Sequence, residues 1–152
     1  MSNEAVAVRP VGASEWPDVV EMIGLYRRFY GAGEPDRERN AAFFARFLAP
    51  SEHGLLLGAW VGGELVGYGC LYFTFSSVAA AESVLLNDLW VQDHARGRGV
   101  GHALIAASAQ CARERGVASL TWRTKLDNRR AQRLYESLGA ERSAWFEYAL
   151  DM

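Results

Sequence analysis

Leu86-Asn87-Asp88-Leu89-Trp90-Val91, running on into Arg96-Gly97-Arg98-Gly99-Val100-Gly101, is the stretch on which the fold turns. Ser83–Val91 reads as an apolar strand, and it leads straight into a loop with a glycine at every second position. Val100, Ala103, Leu104, Ala107 and Cys111 then fall on one face of a helix that runs to about Arg115, and Gly116 stops it. A strand, a glycine loop and a helix in that order make an anion cradle. Glycines let backbone approach a ligand, the helix start offers free N–H groups, and Arg96 and Arg98 add charge. Two phosphate-loop types fail here. A Walker loop needs Lys after its last glycine, and His102 stands there. A dinucleotide fingerprint needs a glycine where Leu104 sits, and an opening βαβ unit where this chain has a hairpin.

The rest of the chain builds outward from that segment. Residues 4–9 predict a short strand, and Ser14 is a candidate N-cap for a helix to about Tyr30, which Gly31-Ala32-Gly33 ends. A second helix is expected from about Asp36 to Leu48, closed by Pro50. Leu55–Val61 and Glu64–Phe73 read as strands joined by a tight turn at Gly62-Gly63. Downstream, Ser119–Thr124 reads as a strand, and Asn128–Leu138 as a helix with Ala131, Leu134, Tyr135 and Leu138 on one face. Trp145–Leu150 reads as a final strand. The order predicts one α/β domain over residues 1–152, a mixed sheet with helices on both faces.

Composition excludes several classes. The chain has 152 residues, half of them hydrophobic, with no run long enough to span a membrane and no basic-then-apolar leader pattern. Cys70, Cys111 and the three histidines show no ligand spacing, so no metal is expected, and a reducing cytoplasm suits the two separated cysteines. Charge is unevenly spread: residues 1–93 carry net −6, residues 94–133 net +7 and residues 134–152 net −3. The basic third suits an anionic ligand, and the acidic front a cationic one; ordinary solvated helix faces are the plainer alternative. Net acidity and the lack of any nucleic-acid motif argue against nucleic acid as a partner.

The loop pattern Arg-x-x-Gly-x-Gly over Arg96–Gly101 resembles motif A of the GCN5-related N-acetyltransferase (GNAT) superfamily. Leu86–Val91 resembles the strand before that motif. Asn128, Ala131, Leu134, Tyr135 and Gly139 resemble the superfamily's downstream signature. More narrowly, Gly67-Tyr68-Gly69 through Tyr72-Phe73-Thr74-Phe75 and Asn87-Asp88 are similar to diamine and polyamine acetyltransferases. Trp122-Arg123-Thr124 with Ala131–Tyr135 is similar to fungal histone and D-amino-acid acetyltransferases.

The resemblance implies a mostly antiparallel sheet with a splay between its fourth and fifth strands, and acetyl-CoA lying across that splay. The backbone of Arg96, Gly97, Arg98, Gly99, Val100 and Gly101 would hold pyrophosphate. Leu89, Trp90 and Val91 would pair with the pantetheine arm, and Asn128 would touch it. Tyr135 takes the position of the general acid, although its apolar helix face also suits plain core. The polyamine enzymes carry a glutamate where this chain has Asn87, which cannot take a proton. Asp88 is the nearest acid, yet strand alternation points it to the opposite face from Asn87; Glu82 and Glu147 are weaker candidates. Tyr26, Tyr30, Tyr72, Phe73, Phe75 and Trp90 are candidate acceptor walls, with Asn87 and Asp88 on the strand beside them. The expected acceptor is a small amine such as a polyamine, diamine or amino acid, with a protein lysine second. A catalytically weak acyl-CoA-binding module and a structural interaction protein stay open, and a homodimer is expected from such relatives.

Overall fold

The computed structural model describes residues 4–34, 36–117 and 119–152. Gly62 and Gly63 take φ of 57° and 82°, the pair of positive values that a two-residue turn needs to match the twist of its strands. They join β2 (Gly54–Val61) to β3 (Glu64–Ser76). β1 (Ala7–Pro10) flanks β2, and β4 (Ala81–Val91) flanks β3, all antiparallel. β5 (Leu120–Thr121) pairs parallel with β4, so the five strands lie in the order β1-β2-β3-β4-β5.

Helices cover both faces, because β2, β3 and β4 are apolar on both. On one face, α1 (Trp16–Phe29) and α2 (Arg37–Phe44) pack over Leu56, Trp60, Tyr68 and Cys70. On the other, α3 (Val100–Glu114) buries Val100, Leu104, Ile105 and Ala112 against Val66, Leu71, Val84 and Leu86. α4 (Arg129–Ser137) leans on that second cluster through Leu134 and Tyr135. Gly101 makes this approach possible: a Cβ there would stand 2.9 Å from Leu134 Cδ2.

Four expectations change. Ser14 does not cap α1; it lies in a short 3-10 turn over Ala13–Glu15, where Glu15 accepts from the Gly12 N–H at 2.7 Å. The second helix is α-helical only to Phe44 and tightens into a 3-10 turn over Ala45–Phe47. Of Ser119–Thr124, only Leu120 and Thr121 join the sheet, since the chain veers from β4 beyond them. Trp145–Leu150 forms no strand: the segment lies exposed with no ladder partner among the described residues, and β propensity alone cannot hold a strand that has nothing to pair with.

The start of β2 is tight. A Cβ on Gly54 would fall 1.9 Å from the Leu71 carbonyl oxygen and 2.9 Å from the Phe47 ring, which stacks on Tyr72 at 5.0 Å. Gly54→Ala is expected to lower stability by ~1–3 kcal/mol, the usual cost of overpacking. A denaturant midpoint unchanged from the parent would show that the strand shifts freely.

Candidate active site

β4 outruns β5. It is eleven residues long, but its ladder with β5 holds only Val84↔Leu120 and Leu85↔Thr121. From Leu86 onward its outer edge is therefore open. The Gln92 N–H donates to the Val66 carbonyl at 2.8 Å, so with a strand period of two the Trp90 N–H also faces β3. The N–H groups of Leu89 and Val91 then point into the open cleft. The Val91 carbonyl is already used, accepting from Arg96 Nε at 3.1 Å.

The loop at the end of β4 is built as a cradle. Gly97 and Gly99 take φ of 77° and 81°, and nothing lies within 4 Å of where their Cβ atoms would be. Among the described residues, the N–H groups of Gly97 to Gly101 meet no protein acceptor, and Gly99 opens α3. Arg96 is held by Asp93 at 2.7 Å, with its guanidinium 5.1 Å from the Trp90 ring. A run of unpaired N–H groups at the start of a 15-residue helix fits a pyrophosphate. Asn128 is committed differently: its Oδ1 caps α4 by accepting the Ala131 N–H at 3.2 Å, which leaves its amide NH2 for a ligand.

A polar cluster sits on the α1 side of β4. Cys70 pairs with Asp88 and Leu71 with Leu86, so Asn87 is the extra residue of a β-bulge. The bulge cancels strand alternation. Contrary to the expectation of opposite faces, the Asn87 amide reaches Asp88 Oδ1 at 2.7 Å and the Tyr72 hydroxyl at 3.1 Å. The Tyr68 hydroxyl donates to Asp88 Oδ2 at 3.0 Å, and the Tyr26 hydroxyl donates to the Asn87 carbonyl at 3.3 Å. The Tyr30 ring packs tilted against that of Tyr26, with centroids 4.9 Å apart, and Lys125 Nζ lies 5.0 Å from the Tyr30 ring. Tyr135 meets Trp122 edge to face at 5.4 Å.

Burial dominates the electrostatics. Asp88 is only 2% exposed, and desolvation pushes its carboxyl up to about 6, against the opposing pull of the Asn87 and Tyr68 hydrogen bonds. Burial pushes the Tyr135 phenol up to about 12, helped by the Tyr30 hydroxyl, so it stays protonated near neutrality. The phenols of Tyr26, Tyr68 and Tyr72 are raised by burial and then by the Asp88 charge.

The structure thus brings Tyr26, Tyr30, Tyr72, Asn87 and Asp88 together. Trp90 joins their edge, meeting Phe29 at 5.8 Å. Phe73 is excluded because it packs on the α3 face, with Arg115 at 3.6 Å from its ring, and Phe75 is 78% exposed. Glu82 pairs with Arg115 at 3.7 Å and Glu147 with Arg123 at 3.1 Å, both exposed ion pairs outside the cluster. Sequence reasoning missed Tyr68 as a site residue. Its signal was a phenol inside the apolar run Leu65–Leu71, which must find a partner when fully buried. Among the described residues no group of His, Cys, Asp and Glu could hold a metal, and no helix is long and apolar enough to cross a membrane.

Comparison with known proteins defines the class. The profile of the Acetyltransferase (GNAT) family matches residues 19–140, and the chain belongs to that family. It is 35% identical over 146 residues to the Bacillus subtilis (strain 168) protein named uncharacterized N-acetyltransferase YhfO, covering 95% of this chain and 97% of that one. It is 36% identical over 137 residues to the D-amino-acid N-acetyltransferase HPA3 of Saccharomyces cerevisiae, covering 89% and 84%. The crystal structure of a probable acetyltransferase superposes with a TM-score of 0.81 at 26% identity, covering 97% of each chain. The aminoglycoside N-acetyltransferase AAC(6')-Iy, solved in complex with CoA, shares the fold at a TM-score of 0.80 and 20% identity, covering 97% and 95%. The protein is an acyl-CoA-dependent acetyltransferase of the GNAT type.

Asp88 gives a signed prediction. Its folded value of about 6 lies above the ordinary 3.8, so the folded state holds the proton more tightly than the unfolded state. Stability from this group is complete below about pH 4 and is lost as pH rises through about 6, by up to ~3 kcal/mol. Urea melts at pH 4 and pH 8 are expected to show this loss in the parent and not in Asp88→Asn. Equal slopes in both would mean the carboxyl is ionised at little cost.

Proposed function

We propose that the enzyme transfers acetyl from acetyl-CoA to the primary amine of a small cationic acceptor, with Tyr135 as general acid. The observation that carries this reading is the buried Asp88, ringed by Tyr26, Tyr68, Tyr72 and Asn87 beside the open edge of β4. A carboxylate costly to bury gains most from a cationic partner, and the tyrosine faces suit a cation and its alkyl stem. The relatives named for D-amino acids and for aminoglycosides take amines, which supports the same class of acceptor here.

Acetyl-CoA supplies the activated acetyl thioester. The Arg96–Gly101 backbone holds its pyrophosphate, Asn128 offers its free amide to the CoA arm, and the N–H groups of Leu89 and Val91 receive pantetheine as an added strand. Tyr30 and Tyr72 wall the acceptor. Asp88 draws the ammonium in and takes its proton. The neutral nitrogen then bonds to the carbonyl carbon as the carbon–sulfur bond breaks. Tyr135 delivers its proton to the departing sulfur and recovers one from solvent, while the amide nitrogen releases its surplus proton. An N–H aimed at the carbonyl oxygen is worth ~2.7–4 kcal/mol in such steps. Two copies of the chain form the working enzyme.

A thiol-release assay over diamines, polyamines, amino acids, aminoglycosides and a lysine peptide tests the acceptor. Turnover is expected with a small cationic amine; turnover only with the peptide would replace that acceptor with protein lysine. Acetyl-CoA is expected to raise the melting temperature, and no acetyl transfer despite that shift would make the chain a binder. Tyr135→Phe is expected to lower kcat by ~10²–10⁴-fold with the acetyl-CoA KM nearly unchanged. Unchanged turnover would remove Tyr135 from the mechanism.

A further inference from the structure

Lys125 is the only lysine in the chain. It stands between β5 and α4, and its backbone is pinned. The Lys125 carbonyl accepts from the Asn128 N–H at 3.1 Å and from Gln132 Nε2 at 3.1 Å, which fixes it against the start of α4. The side chain crosses to the end of α1, where Nζ lies 5.0 Å from the Tyr30 ring. The cations around it are committed: Arg96 pairs with Asp93, Arg115 with Glu82 and Arg123 with Glu147. Lys125 meets no carboxylate among the described residues. The same Tyr30 ring is a near neighbour of Asp88, since burial and then the Asp88 charge raise its phenol. The acceptor site therefore carries two groups of opposite sign, Asp88 buried within it and Lys125 exposed at its rim. No ion pair joins them, so neither cancels the other.

We infer that Lys125 binds a carboxylate of the acceptor, so that the substrate is an amino acid held at both ends, its ammonium by Asp88 and its carboxylate by Lys125. This rests on the small-amine reading above and narrows it. A diamine or polyamine brings a second ammonium to the rim. There it meets Lys125, a like charge with no counter-ion at hand, and is repelled. A carboxylate in the same place accepts from an ammonium that has three donors and no other anion to serve. Tyr30 divides the two groups, and its ring offers a face to the carbon skeleton that joins the ends of such a substrate. Lys125 also faces the C-terminal end of α1, where a cation gains from the helix dipole. That gain is purely structural, and it shows in stability rather than in the choice between substrates.

Matched pairs of acceptors test this in a thiol-release assay. Alanine, ornithine and lysine are each compared with their carboxamides, and the last two with the diamines they become without the carboxyl group. The full chain is expected to prefer the carboxylate by ~10–100-fold in kcat/KM. Lys125→Met is expected to remove that preference by raising the amino-acid KM rather than by lowering kcat. Lys125→Arg is expected to keep it, and Lys125→Glu to turn it toward the diamines. Equal turnover of amino acid, carboxamide and diamine by the parent would overturn the carboxylate site and leave the small-amine reading standing. No transfer to any small amine would overturn both. A Lys125→Met variant that melts earlier but keeps the parent's preference would confine Lys125 to the end of α1. Labelling gives a second readout that needs no turnover, because an amine-reactive ester finds one lysine in this chain. An N-acetyl amino acid, which has the carboxylate and no amine, is expected to slow the labelling of Lys125, and its carboxamide is not. Equal labelling with both, at concentrations that inhibit turnover, would overturn the contact.

Discussion

The loss of a neighbour along β4 is the constraint on which the rest depends. A strand inside a sheet has both edges satisfied by ladder bonds. β4 keeps one edge throughout but surrenders the other after Leu85, where β5 turns away. The N–H groups of Leu89 and Val91 are left facing a cleft, a state that costs little only while water or a ligand pairs with them. The glycine loop lies beyond the end of that same edge, so two groups of unpaired donors, at Leu89 and Val91 and then from Gly97 to Gly101, are strung along one path, with the N–H groups of Gln92, Ala95 and Arg96 bonded to protein between them. A long ligand with carbonyls at one end and phosphates at the other is complementary to such a string. The family assignment gives that ligand its chemical class.

A single extra residue sets the other half of the site. With regular pairing, Asn87 and Asp88 would face opposite ways. The bulge between the Cys70 and Leu71 pairings instead puts both side chains on the face covered by α1. Asp88 is then packed among phenols, and two hydrogen bonds compete with desolvation for its proton. Desolvation wins, which leaves the carboxyl poised near 6 where it can both take a proton and return it.

Features governed by local rules were legible in the sequence. The Gly62-Gly63 turn, the stop at Gly116 and the apolar face of α3 follow from neighbouring residues alone, and so do the left-handed turns at Gly97 and Gly99 that lead into α3. Features that depend on partners were not. The bulge at Asn87 is fixed by how β3 and β4 register, which no single strand encodes. Phe73 looked like a neighbour of Tyr72 and is one in sequence only, because alternate residues of β3 serve different cores. Trp145–Leu150 has the apolar and aromatic residues of a strand, yet it pairs with no neighbour among the described residues.

α4 is held loosely. None of its residues is fully buried, its contact with α3 runs through the missing side chain of Gly101, and it is nine residues long. Such a helix sits at the loose end of the stability range and opens more readily than the sheet. Since Tyr135, the proposed proton donor, rides on it, gentle warming would release that side chain before the sheet melts. On that role for Tyr135, the rate would fall while circular dichroism still reported a nearly intact protein, and the loosely anchored α4 rather than the core would set the working temperature of the molecule.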